Sequence, residues 1–139
     1  MLGNDHGLIH AAKVCLFVAL LGRKLKLSEK ELLTLMVSAV FHDIGRKNNS
    51  DDATHGERSY SKMLEHRYSG PGELEEIMRL HSRADKKPMS RLAMIFKDAD
   101  ALDRVRTNDL DTKYLRFEES KLLVETAKEV NACLLKVIG

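Results

Sequence analysis

The stretch "AVFHDIGRKN", residues 39–48, is an apolar run that stops on an imidazole and a carboxylate side by side, His42 and Asp43. A buried carboxylate is costly unless it is paired or coordinates a metal. Either the doublet closes a helix at the surface, or it belongs to a ligand set. The residues on both sides of it decide which.

Upstream, Ser28 and Glu31 have capping-box spacing and open a helix whose body, "LLTLMVSAVF" at 32–41, is apolar on nearly every face, as a central helix would be. Before it, residues 7–21 carry apolar side chains at 8, 9, 12, 16, 17, 20 and 21, and Gly22 supplies a stop. Downstream, "HGERSYSKMLEH" at 55–66 is a weaker helix. The Gly70-Pro71-Gly72 turn then introduces a helix from 73 to about 82, with Leu74, Ile77, Met78 and His81 on one stripe. Pro88 punctuates, Ser90 caps, and "RLAMIFKDADALDRV" follows as a helix. The last amphipathic helix, 118–138, turns Leu122, Leu123, Ala127, Val130, Leu134 and Val137 inward. No alternating strand pattern, repeat or low-complexity segment interrupts this series. The expectation is an all-α fold of about six helices in a single domain, 1–139.

Composition agrees with a globular chain. Apolar residues at 43% and charged residues at 32% argue against disorder, and a net charge of +2 with no basic run argues against nucleic-acid binding. No stretch approaches the roughly 20 apolar residues that span a bilayer. "AAKVCLFVALLG" has the length of a signal-peptide core but follows Asp5, His6 and His10 and lacks a cleavage site. Cys15 and Cys133 read as small buried hydrophobes in a reducing compartment, and a cytoplasmic location is expected.

The polar residues that occupy apolar positions carry the chemistry. His10 lies one turn before Val14 and two before Val18, His81 completes an apolar stripe, and Asp98, Asp100 and Asp103 interrupt a core-like helix. A lone His on an apolar face is usually a hydrogen-bonded core residue, and a lone Asp in a helix is usually solvated. Here at least three helices carry His or Asp as their polar exceptions, and these are ligands for borderline and hard divalent metals.

A His on an early helix ("HGLIHAAKV"), the doublet in "HDIG" and an Asp in "KDADALDRVR" resemble the HD-domain superfamily from His10 to about Arg106. The resemblance implies an all-helical fold and a divalent ion: manganese, nickel, cobalt, iron, magnesium or zinc. It implies that His10, His42, Asp43 and Asp100 hold that ion. His6 competes with His10 and Asp98 with Asp100, and His10 and Asp100 are preferred; Asp103 could orient a ligand or a water. His55 and His81 are candidates for a second ion or for substrate, as in the two-metal members.

Members of the superfamily are mostly phosphohydrolases of nucleotides or phosphodiesters, with a minority of regulatory domains and a diiron oxygenase. The implied function is hydrolysis of a small phosphorylated substrate, nucleotides included, with Asp43 and Arg46 catalytic. A guanidinium suits phosphate, and in related sequences a Lys often stands at position 46; a cation there also complements a helix C-terminus. Arg104 and Arg106 are further phosphate candidates that a solvated face explains equally well. Two other functions stay open: a metal-stabilised domain without catalysis, and a diiron oxygenase, which would need His55 and His81 as ligands.

Overall fold

A computed structural model describes residues 5–47, 53–68, 70, 72–85 and 88–138, with the side chains of residues 5, 6 and 138 excepted. Among the described residues the secondary structure is entirely helical: α1 (Asp5–Lys24), α2 (Glu29–Phe41), α3 (His55–Glu65), α4 (Gly72–Leu80), α5 (Arg91–Leu102), 3₁₀ turns at Asp103–Thr107 and Thr112–Tyr114, then α6 (Glu118–Lys121) and α7 (Val124–Ile138). The six expected segments are all present. The last is divided, because the chain turns at Leu122 and Leu123 between α6 and α7. Leu122 is consequently exposed while Leu123 and Ala127 enter the core, and Val137, expected inside, is exposed.

Three other expectations change. Gly22 does not end α1: the helix continues to Lys24 and closes with Leu27 N–H on the Gly22 carbonyl (2.9 Å) and Lys26 at φ 56°, a Schellman closure with lysine in the left-handed position. The inward face of α1 is His10, Val14, Phe17, Val18 and Leu21, while Leu8 and Leu16 are exposed. The α2 helix is one-sided: Thr34, Leu35, Ser38 and Ala39 are buried, but Leu33 and Val40 are not. Its buried hydroxyls are satisfied by carbonyls one turn back, Thr34 on Lys30 (2.9 Å) and Ser38 on Thr34 (2.8 Å). Finally, Cys133 is exposed and Cys15 half-buried, so neither is a fully buried hydrophobe.

The Ser28–Glu31 capping box forms in both directions, and Ser90 caps α5 through the Ala93 amide at 3.1 Å. The main core joins α1, α2, α5 and α7 through Val14, Phe17, Leu35, Phe96 and Ala127. A smaller cluster, Met63, Leu74 and Met78, packs α3 and α4 beneath Phe41 and Ile44.

Two glycines set the approach of α3. A Cβ on Gly45 would lie 2.4 Å from the Ser59 backbone nitrogen, and one on Gly56 would lie 2.3 Å from the Met78 carbonyl oxygen. Backbone therefore passes directly against backbone on both sides of α3. That contact carries His55 to the end of α2 and to the C-terminus of α4. No helix among the described residues is long and apolar enough to cross a membrane.

Candidate metal centre

Five elements bring one ionisable side chain or doublet each to a common point. His10 comes from α1, His42 and Asp43 from the turn that ends α2, His55 from the start of α3, His81 from the residue after α4, and Asp100 from α5. The doublet is therefore a ligand-type set and not a surface helix end: His42 is fully buried, with its ring edge-on to Phe96 at 5.3 Å.

Asp43 sits between two histidine pairs. Its Oδ2 is 3.6 Å from His10 Nε2 and 3.4 Å from His42 Nε2. Its Oδ1 is 3.0 Å from His55 Nε2 and 3.5 Å from His81 Nε2. Asp100 Oδ1 closes the first side, 3.0 Å from His10 Nε2 and 3.3 Å from His42 Nε2. Within the pairs, Nε2 atoms stand 3.2 Å apart for His10 and His42 and 2.9 Å apart for His55 and His81.

The outer nitrogens fix which atoms face the centre. His42 Nδ1 is 2.8 Å from the Ala39 carbonyl and His81 Nδ1 is 2.7 Å from the Met78 carbonyl. A carbonyl only accepts, so both Nδ1 atoms carry a proton and both Nε2 atoms of the neutral rings aim lone pairs inward. His10 Nδ1 is held by Asp103 Oδ2 at 2.6 Å, the carboxylate–imidazole arrangement typical behind metal-ligating histidines. Facing lone pairs at such distances repel unless a cation lies among them. Two nitrogens at right angles on one ion, each about 2.1 Å from it, are about 3 Å apart, which matches both pairs. The residues fit a divalent ion.

Electrostatics point the same way. Burial disfavours charge on His10, but hydrogen bonds to Asp100 and Asp103 outweigh it and raise its pKa to about 9. Burial likewise opposes ionisation of Asp43, yet His55 and His81 hold its carboxyl far below the usual range. Asp100 is held well below it by His42 and His10 against the same burial term. Burial pushes the His81 imidazole down, toward the neutral form that ligates. Protons on histidine thus balance the carboxylates where a dication would otherwise do so.

The sequence candidates divide cleanly. His10, His42, Asp43, His55, His81 and Asp100 converge. Asp98 does not; it is fully buried on another face of α5 and accepts from the Arg116 amide and guanidinium, the Phe117 amide and Ser120 Oγ. The His6 side chain lies outside the described residues. Arg46 Nη1 is 4.0 Å from Asp43 Oδ2 at the rim, and Arg106 reaches Asp103 Oδ2 at 2.8 Å while Arg104 pairs with Asp109. Two contributors escaped the sequence reading. Lys13 is buried against Asp103, and its position in an apolar stripe three residues after His10 was the available signal. Arg58, which donates to the Gly45 carbonyl at 3.0 Å and braces the doublet's turn, offers no sequence signal distinguishing it from any exposed helical arginine.

The helical fold and its His/Asp centre define a helical domain with side chains grouped as could hold a metal ion. The HD domain family model matches residues 7–105, and the chain belongs to that family. No curated protein and no solved structure matches the chain.

Proposed function

We propose that this chain is a metal-dependent phosphohydrolase whose centre holds two divalent ions, with His10, His42 and Asp100 on one, His55 and His81 on the other, and Asp43 shared. The observation that carries this reading is the division of the Asp43 carboxylate, one oxygen toward each histidine pair. When bound, such ions polarise a phosphoryl oxygen and acidify water at neutral pH.

The chain's own residues supply the remainder. Of the six converging side chains, those of His10, Asp43 and Asp100 retain solvent exposure (14%, 15% and 26%), so substrate approaches over them. The histidines of the other pair are nearly closed off. Arg46, on the open side, binds the phosphoryl oxygens with paired N–H donors and offsets the charge that develops there. Asp43, shared by both halves of the centre, orients the attacking water; the water's proton passes to solvent as its oxygen bonds to phosphorus, and the leaving oxygen departs with its electron pair and is protonated from solvent.

The test is hydrolysis by metal-loaded protein of nucleotides, phosphomonoesters and cyclic dinucleotides with manganese or nickel. Turnover of at least one class, abolished by chelation and by Asp43→Ala, is the expected result. A protein that holds metal and hydrolyses none of them loses this assignment. The placement of His55 and His81 on Asp43 also meets the requirement of a diiron oxygenase. Iron retained through purification, with product formed only under oxygen, would move the assignment there.

A further inference from the structure

Lys13 is a buried cation that the proposed chemistry does not use. Its amine lies 2.7 Å from Asp103 Oδ1, with the two side chains 6% and 0% exposed. An ammonium in such a position is costly unless paired, and a hydrophobic residue would fill the same stripe of α1. The other oxygen of Asp103 is fully engaged elsewhere: Oδ2 meets His10 Nδ1 at 2.6 Å and Arg106 Nη1 at 2.8 Å. The Lys13 contact is direct but not aligned as a hydrogen bond, so its hold on Oδ1 is chiefly Coulombic.

The division of labour on Asp103 has a mechanical consequence. A carboxylate that orients an imidazole must not rotate about its own terminal bond, or the ring turns with it. Lys13 occupies Oδ1 and leaves Oδ2 to His10. Lys13 and His10 are also one turn apart on α1, so that helix grips Asp103 at two points. Lys13 Nζ donates onward to Asn131 Oδ1 at 3.4 Å, on α7, which lies beyond the residues matched to the HD domain.

We propose that Lys13 is a positioning residue of the metal centre: it locks Asp103, Asp103 locks the His10 ring, and Asn131 ties this assembly to α7. The inference rests on His10 being a metal ligand, and its test is chosen to separate the two claims.

Metal-free protein is titrated with Co²⁺, following ligand-field absorption and the dissociation constant. Lys13→Met should weaken binding roughly 10–100-fold, the usual cost of losing an outer partner, and Lys13→Arg should recover most of it. In an Asp103→Asn background, Lys13→Met should add little, because its route to His10 is already gone. A cooperative melt of the metal-free variant establishes folding, and Lys13→Gln replaces Lys13→Met if that variant lacks one. The inference is overturned by a folded Lys13→Met protein with parental Co²⁺ affinity and spectrum, or by effects of Lys13→Met and Asp103→Asn that multiply independently. A parent chain that takes up no Co²⁺ removes the metal reading itself, and this inference with it.

Discussion

Asp98 and Asp100 stand two residues apart on α5, the first fully buried and the second partly open, and their surroundings have nothing in common. Asp98 receives four donors from one short segment: the Arg116 amide (2.9 Å) and guanidinium (2.8 Å), the Phe117 amide (3.1 Å) and Ser120 Oγ (2.6 Å). Every one is a fixed protein hydrogen, so the charge is compensated by the fold itself. Asp100 Oδ1 faces the Nε2 atoms of His10 and His42, imidazole nitrogens that answer its charge by holding protons. One carboxylate is complete without help; the other becomes complete only when protons or a metal ion join it. A buried acid with covalent-chain donors is architecture, and a buried acid facing imidazoles is a site.

The largest expected effect separates the two acids outright. Asp43→Ala or Asp100→Ala should lose bound metal by element analysis and reduce turnover on the order of a thousandfold or more, since both the acidified water and phosphoryl polarisation go together. The melting temperature of the metal-free protein should fall, because the histidines hold each carboxylate ionised and deletion leaves them without that partner. Retained metal in both variants would dissolve the distinction. Next in size is Arg46→Ala, which should cut turnover about a hundredfold with metal content intact. If Arg46 serves only the α2 helix end, the change costs about 0.3–1 kcal/mol of stability and activity is normal. Asp98→Asn comes third: about 3 kcal/mol of stability, read as a fall on the order of 10 °C in melting temperature, with metal stoichiometry unchanged in the folded protein. Metal loss there would make Asp98 part of the centre after all.

How far the sequence discloses all this follows from the same contrast. Helix number and the sites of caps are local properties, and Ser28, Glu31 and Ser90 behave as their spacing dictates. The ligand-type doublet is visible because His42 and Asp43 terminate an apolar run. Asp98 and Asp100 are not separable from periodicity, since α5 is buried on most of its circumference and neither position falls clearly on its inward face. What distinguishes them is the segment at 115–120 folding back on one face, a contact across about 20 positions that no local pattern encodes. His55 is the strongest case: in the polar stretch "SDDATHGERS" it looks exposed, and only the close backbone passages at Gly45 and Gly56 draw it inside. The split of the last helix at Leu122 is likewise hidden, because leucine at both 122 and 123 fits a continuous helix.

The smallest effect is also the most direct measure of what Asp100 lacks. A ligand that binds only the native state stabilises it by RT ln(1 + [L]/Kd), about 2.7 kcal/mol at a hundredfold excess over Kd. Adding Mn²⁺ to metal-free protein should therefore raise the melting temperature by several degrees, and a chelator should reverse it. In Asp98→Asn the starting temperature is lower but the increment should equal the parent's, since Asp98 compensates itself and contributes nothing to the ion. In Asp100→Ala the increment should vanish or shrink sharply. His55→Ala with His81→Ala gives a finer division: half the metal content, with the increment from the His10, His42 and Asp100 side retained. Equal increments in all four proteins would mean that the ion stabilises the chain from some other place, and that the convergence of these histidines on Asp43 is not where it binds.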